Sequence, residues 1–313
     1  MYTTTQKLRA NWRHITAFIT KRLLRIVPLY FVCTLLYLAV YAKLNLYVFE
    51  HPNWLLPSVF FYPSYGSLTG PAYGFPALAV GWSLNYEIYF YLLIAVCAFA
   101  GRWRWIVLVS VLLSSVFIVP LITNGYVMQS LRQWYTYPLP YFSLMTNPIL
   151  IFFVSGIALG KCYHLNYLPL NAAIVNVIVF ISFANFGLNY FGVLPLFHPY
   201  WHHFFNCSFL IFTLLWRNKI EVFRVPRFFV FLGDCSFSIY LIHPLVIGFL
   251  PIVYRLLGLQ VKNEGWLYFF QLLIVILLVS ALSYWFIEKP INKYSASLFA
   301  HNDKKFRQQS DAF

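Results

Sequence analysis

Eight apolar stretches, each near the length that crosses a bilayer, dominate this 313-residue chain. They lie at about 26–48, 82–100, 105–122, 147–160, 168–186, 203–216, 230–254 and 266–287. Lipid cannot hydrogen-bond a backbone, so a spanning segment satisfies its own amides and carbonyls as a helix of about 20 mostly apolar residues. The expected fold class is therefore all-α, a polytopic transmembrane helix bundle of about eight spans. The 147–160 and 203–216 stretches are short, which suits spans that are tilted, extended into their flanks or partly re-entrant. Composition excludes the alternative. With 61% hydrophobic and 10% charged residues, against about 45–50% and about 25% in soluble domains, the chain lacks the polar surface to coat a soluble enzyme.

Lysine and arginine total 22 against 8 acids, a formal charge of +14. In a soluble protein such an excess points to nucleic acid, whereas in a membrane protein basic residues are retained on the cytoplasmic side. The positions decide between the two. With the N-terminus inside, the inner segments hold Lys7, Arg9, Arg13, Lys21, Arg22 and Arg25, then Arg102, Arg104 and Lys161. They also hold Arg217, Lys219, Arg224, Arg227, Lys289, Lys293, Lys304, Lys305 and Arg307, which leaves Lys43, Arg132, Arg255 and Lys262 outside. Adding or removing one span would invert every later loop, so the asymmetry supports both termini in the cytoplasm. The expected partner is the lipid bilayer, with no nucleic acid.

Residues 1–25 have no uninterrupted apolar stretch or cleavage pattern and read as a basic cytoplasmic lead-in; 26–288 reads as one membrane domain and 289–313 as a cytoplasmic tail. The loop at 49–80 is rich in Pro, Gly and aromatics and poor in charge, which suits packing over the outer face as part of a substrate vestibule. Cys33, Cys97, Cys162, Cys207 and Cys235 stand singly, implying neither a disulfide framework nor a metal site.

Polar groups inside apolar spans cost free energy and so mark candidate sites. In GWSLNYEIYFY, residues 81–91, Ser83, Glu87 and Tyr91 recur at i, i+4 and i+8 and share one helical stripe below Trp82. Glu87 there must be paired, hydrogen-bonded or protonated; it is either an interhelical tie or a catalytic or substrate-binding group. In LGDCSFSIYLIHPL, residues 232–245, Ser236, Tyr240 and His243 follow i, i+4, i+7. His243 is either a base for a sugar hydroxyl, oriented by Glu87, or a neutral histidine bonded to a neighbouring helix. In KRLLRIVP, Arg22 and Arg25 are one turn apart at the cytoplasmic mouth of the first span. They are either interfacial anchors or a guanidinium pair for the phosphates of an anionic donor. His198, His202 and His203 of HPYWHH lack a nearby carboxylate or thiol and read as loop or substrate-surface histidines.

In order, KRLLRIVPLY, GWSLNYEIYFY, FFVSGIALG, LGDCSFSIYLIHPLV and FIEKPINKY resemble the acyltransferase 3 family of multi-spanning membrane proteins over about residues 21–294. The most distinctive pieces are Trp82, Ser83, Leu84 and Glu87, and the run from Gly233 to Pro244. The resemblance implies an integral protein of the bacterial cytoplasmic (inner) membrane and O-acetyl transfer from acyl-CoA to an extracytoplasmic or cell-surface carbohydrate, such as lipopolysaccharide or exopolysaccharide. It implies Arg22 and Arg25 on the CoA phosphates, and Glu87 with Trp82, Ser83, Tyr91, Ser236 and Tyr240 along the acceptor route. Acetyl-CoA enters as donor substrate, with no tightly bound cofactor and no metal.

The resemblance departs at the N-terminus. The family opens with two further spans, the first bearing an arginine followed eleven positions later by a histidine base. Here the residues eleven before each histidine are Thr3, Val40, Phe153, Gly187, Phe191, Gly192, Leu232 and Pro290. None is arginine, so His243 is the candidate replacement, and this chain alone is expected to transfer acyl groups weakly or not at all. Two other readings stay open: a polysaccharide exporter or flippase-like protein without acyl chemistry, and a bundle completed by a partner chain that supplies the missing spans.

Overall fold

The computed structural model describes residues 10–44, 57–63, 70–73, 77–128, 135–164, 171–191, 199–220, 225–259 and 264–297. Among them every regular element is helical. Four helical stretches are long and apolar enough to cross a membrane: Trp12–Ala39, Gly81–Asn124, Ser236–Leu256 and Trp266–Ser297. Shorter apolar helices occupy Pro148–Lys161, Ala173–Leu188 and Cys207–Arg217, within the remaining expected spans. Gly81–Asn124 covers two of the expected spans and breaks at Gly101, whose φ of 56° and ψ of −117° only glycine adopts readily.

The chain forms two compact units. The first is built on Ala100–Val225, the second on Arg9–Leu68, Ala72–Phe99 and Pro226–Phe313. In the first, α3 (Arg104–Leu113) runs through a π-helical turn, Ser114–Ile118, into α4 (Val119–Asn124). A short α5 (Pro140–Met145) precedes α6 (Ile151–His164), which packs on α3. Next, α7 (Ala172–Tyr190) lies along α8 (Pro199–Ile220). Apolar faces alone do not specify which helices pair within lipid, because the tails are as apolar as the side chains; polar ties do. One is the buried Ser182–Thr213 hydroxyl pair at 2.9 Å, another the bond from Arg217 Nε to Asn176 Oδ1.

In the second unit α1 (Trp12–Leu44) packs on α2 (Gly81–Cys97) and on α10 (Ser236–Leu256), which follows the short α9 (Arg227–Asp234). In turn α10 packs on α11 (Trp266–Ser283), which continues through a second π-helical turn, Tyr284–Glu288. The core holds Ile26, Leu29, Tyr30, Leu84, Tyr91 and Leu241. By contrast α11 is apolar on all sides and almost none of it is buried, the arrangement of a helix whose solvent is hydrocarbon.

The first helix starts at Trp12 rather than at about residue 26. Ile15, Phe18 and Ile19 extend the inward face by two turns, with Ile15 buried, so the basic residues between them ride on a formed helix. Trp12 meets Phe99 ring to ring at 4.9 Å beside the end of α2. Arg22 therefore lies about 15 Å further along the axis, at ~1.5 Å per residue.

Candidate functional site

The stripe expected on α2 is present. Ser83, Glu87 and Tyr91 stack on one face, and the Tyr91 hydroxyl donates to Glu87 Oε1. Tyr91 is buried and Glu87 half-buried. The Arg22 guanidinium lies over the rings of Tyr91 and Phe18, 5.3 and 5.5 Å from their centroids. Such stacking holds a planar cation in a fixed orientation. Arg25 is exposed and within electrostatic reach of Tyr91 and Glu288. Arg22 and the Tyr91–Glu87 pair thus meet between α1 and α2, with Arg25 one turn further along α1.

On α10, Tyr240 and His243 share a face, their rings 6.0 Å apart. Tyr240 Oη and Ser83 Oγ bond to each other at 2.5 Å, and both reach the Val80 carbonyl, at 2.8 and 3.2 Å. Each hydroxyl can give its proton to that carbonyl or to the other. His243 Nδ1 lies 3.1 Å from its own helix's Ile239 carbonyl. An N–H at Nδ1 satisfies that carbonyl and leaves Nε2 with its lone pair, the tautomer a base requires. His243 and Glu87 are not bonded to each other; Glu87 is held by Tyr91 instead. Ser236 is exposed and apart from this set, whereas Ser238, two residues on, is fully buried. Trp82 is half-buried and edge-on to Tyr86, at 6.2 Å.

Two further polar groups take their place only in the packed bundle. Ser238 Oγ donates to Glu288 Oε2 at 2.9 Å, and both residues are buried. An acid directly after an apolar run was the available signal, but the expected span stopped at 287. The π-helical turn Tyr284–Glu288 continues the helix and ends on this inward-facing carboxylate; single π turns are frequent at functional sites. The second is Ser58, whose Oγ bonds Tyr30 Oη at 2.7 Å and accepts from the Ala77 amide at 2.8 Å. Two described parts of the expected vestibule, 57–63 and 77–80, therefore pack beside the middle of α1. Trp82 stands half-buried in the first turn of α2. Residues 49–56, 64–69 and 74–76 and the HPYWHH side chains lie outside the described residues.

An apolar cavity of about 480 Å³ begins one turn beyond the polar cluster, between α1, α10 and α11, lined by Leu29, Cys33, Ile242, Leu245, Phe249 and Val279 among others. Its lining is almost wholly hydrocarbon, in contrast to the hydroxyl, carboxyl and imidazole groups beside it. Among the described residues no three His, Cys, Asp or Glu side chains gather as metal ligands.

The acyltransferase 3 family model, which describes an acyltransferase domain, matches residues 2–285. The chain belongs to the acyltransferase 3 family. A curated family relative, the exopolysaccharide production protein ExoZ of Rhizobium meliloti (strain 1021), is 28% identical over 280 residues, covering 88% of this chain and 80% of ExoZ. No solved structure matches. As an acyltransferase 3 protein with these apolar helices, the chain is an integral membrane protein, and membership supports a transferase role in general terms.

Proposed function

We propose that this chain is a membrane O-acyltransferase that moves an acyl group, acetyl in the simplest case, from acyl-CoA to a hydroxyl of an extracytoplasmic carbohydrate. The observation that carries the reading is the polar set of the second unit, where Arg22 lies over Tyr91 and Tyr91 holds Glu87, with Arg25 within electrostatic reach of Tyr91 and His243 on α10. The relative's name adds exopolysaccharide as an acceptor class. Eight spans with both termini inside place the basic end of α1 toward the cytoplasm, in the bacterial inner membrane.

Arg22 and Arg25 hold the donor's phosphates by charge-assisted hydrogen bonds. His243 Nε2 takes the proton of the acceptor hydroxyl, whose oxygen then attacks the thioester carbonyl. The new C–O bond forms as the C–S bond breaks, and CoA leaves as thiolate and takes up a proton. Glu87 accepts a hydrogen bond from a neighbouring hydroxyl of the sugar, and Trp82, Ser83 and Tyr240 line its approach. In this reading transfer depends on His243 as the base.

The test is isotope-labelled acetyl-CoA given to membranes expressing the chain, with analysis of the surface polysaccharide. Label in the polysaccharide that disappears with His243→Ala, while the protein still inserts, is the expected result. Label that survives the substitution removes His243 from the chemistry, and export of unlabelled glycan without acyl-CoA affinity would replace the transferase reading with the exporter.

A further inference from the structure

A second polar and aromatic cluster lies in the first unit, far along the chain from the residues used above. The helical stretch from α3 through α4 begins at Arg104, with Arg102 two residues before it, each over the ring of its neighbouring tryptophan at 5.7 and 5.2 Å respectively. From Arg104 to Asn124 it is about 31 Å long at ~1.5 Å per residue, close to the hydrocarbon thickness of about 30 Å. Asn124 therefore emerges at the opposite face, where Gly125, in the left-handed region at φ 76°, turns the chain off the helix.

There Tyr126, Tyr135, Tyr137 and Phe142 form a continuous row, with successive ring centroids 5.6, 5.9 and 6.1 Å apart. A tyrosine of an interfacial belt sits with its ring at the headgroup level and its polar tip toward water. In this row two hydroxyls turn back into the protein. Tyr135 Oη accepts from the Met128 amide at 2.6 Å and donates to the Tyr126 carbonyl at 3.2 Å. Tyr137 Oη bonds Thr123 Oγ1 at 3.0 Å and accepts from Asn124 Nδ2 at 2.9 Å. Ser143 Oγ fastens the Tyr135 carbonyl at 2.7 Å. The row is held from behind, while Tyr126 is 55% and Phe142 46% exposed.

A pyranose carries C–H bonds on one face and hydroxyls around its rim. It fits a fixed aromatic surface with hydroxyl and amide groups beside it, and a surface already rigid loses little entropy on binding. We infer that this row is a carbohydrate platform on the extracytoplasmic side that takes pyranose units of the acceptor polysaccharide. The inference rests on the orientation and acceptor class proposed above.

The test uses the full chain in nanodiscs and saturation-transfer NMR. The probes are cellotetraose and oligosaccharides released from the host's own surface polysaccharide, with sorbitol as an open-chain control. Saturation of the saccharide C–H protons, but not of sorbitol, is expected. Tyr126→Ala and Phe142→Ala should each weaken binding about fivefold or more, and Tyr126→Phe should preserve it. Both exposed side chains can be removed without touching the backbone bonds that hold the row, and an unchanged thermal transition verifies that. Absence of transfer to either saccharide overturns the platform, as do equal saturation of sorbitol, binding indifferent to both alanine variants, or loss in Tyr126→Phe. The two readings fail separately. Acetyl transfer with an unchanged acceptor KM in both variants sinks the platform and leaves the transferase standing. Saccharide binding that depends on Tyr126 and Phe142, in a chain with no acetyl transfer under any condition, does the reverse.

Discussion

Tyr91 donates its hydroxyl to the carboxylate of Glu87, one turn earlier on α2. The same phenol ring carries the Arg22 guanidinium over its face, so one side chain joins the expected donor-binding arginine to the expected acceptor-side acid. A half-buried carboxylate keeps its position only while its donor is in place. Tyr91→Phe, which retains the ring, should cost about 1–2 kcal/mol and slow acyl transfer about tenfold, a barrier change of ~1.4 kcal/mol. Tyr91→Leu also loses the cation–π contact and should cost about 0.5–2 kcal/mol more. Thermal unfolding in detergent and labelled-acetyl incorporation read the two effects.

The Ser83–Tyr240 hydroxyl pair ties α2 to α10 through the shared Val80 carbonyl. Ser83→Ala and Tyr240→Phe should each destabilise by about 1 kcal/mol. Because either hydroxyl can still reach the carbonyl alone, the double variant should lose a different amount from the sum of the two. A double-mutant cycle on thermal unfolding measures it; strict additivity would show that the two hydroxyls act independently.

Ser238 supports a carboxylate that is almost fully buried. Ser238→Ala should cost about 1–3 kcal/mol, because it strips Glu288 of a donor without removing its need for one. The double variant Ser238→Ala with Glu288→Met removes both polar partners and should be less destabilised than Ser238→Ala alone. Unfolding midpoints in detergent decide the order, and a milder single variant would mean that Glu288 is satisfied by other groups.

Arg22 and Arg25 are expected to bind the donor by different means. Arg22 is half-buried and stacked between two rings, whereas Arg25 is exposed. Arg25→Lys should keep most of the acyl-CoA affinity as a point charge; Arg22→Lys should lose roughly tenfold, since an ammonium reproduces neither the plane nor the fork of donors. Displacement of a fluorescent acyl-CoA analogue, repeated at raised salt, gives both numbers. Salt should weaken binding further, because it screens exposed charges more than buried ones.

Much of the site was legible because it is written in short helical spacings. Ser83, Glu87 and Tyr91 recur every fourth residue, and a helix of any tertiary setting puts them on one stripe; the Tyr91–Glu87 bond follows from that alone. Tyr240 and His243 came together for the same reason. Spacing failed where two phases were open. In SFSIY, serine 236 matched the spacing to Tyr240, yet Ser238 is the buried one, because the packing of α10 against the end of α11 decides which serine meets an acid. No spacing along one helix fixes a pairing of His243 with Glu87 across two, and each is held by a group on its own helix.

The sequence by itself determined the membrane class, the approximate helices and the basic asymmetry, together with the family. Each depends on which residues stand near one another along the chain, and hydrogen bonding in lipid leaves a long apolar run little choice but helix. Tertiary structure decided depth and partnership. It set Arg22 about 15 Å into a helix that begins at Trp12, seated the entry to α2 against Tyr30 and Tyr240, and turned Glu288 inward at the end of a π-helical turn. Those outcomes depend on how far one helix slides past another and at what phase it turns, and only the packed bundle, where each buried polar group must find its partner, selects among them.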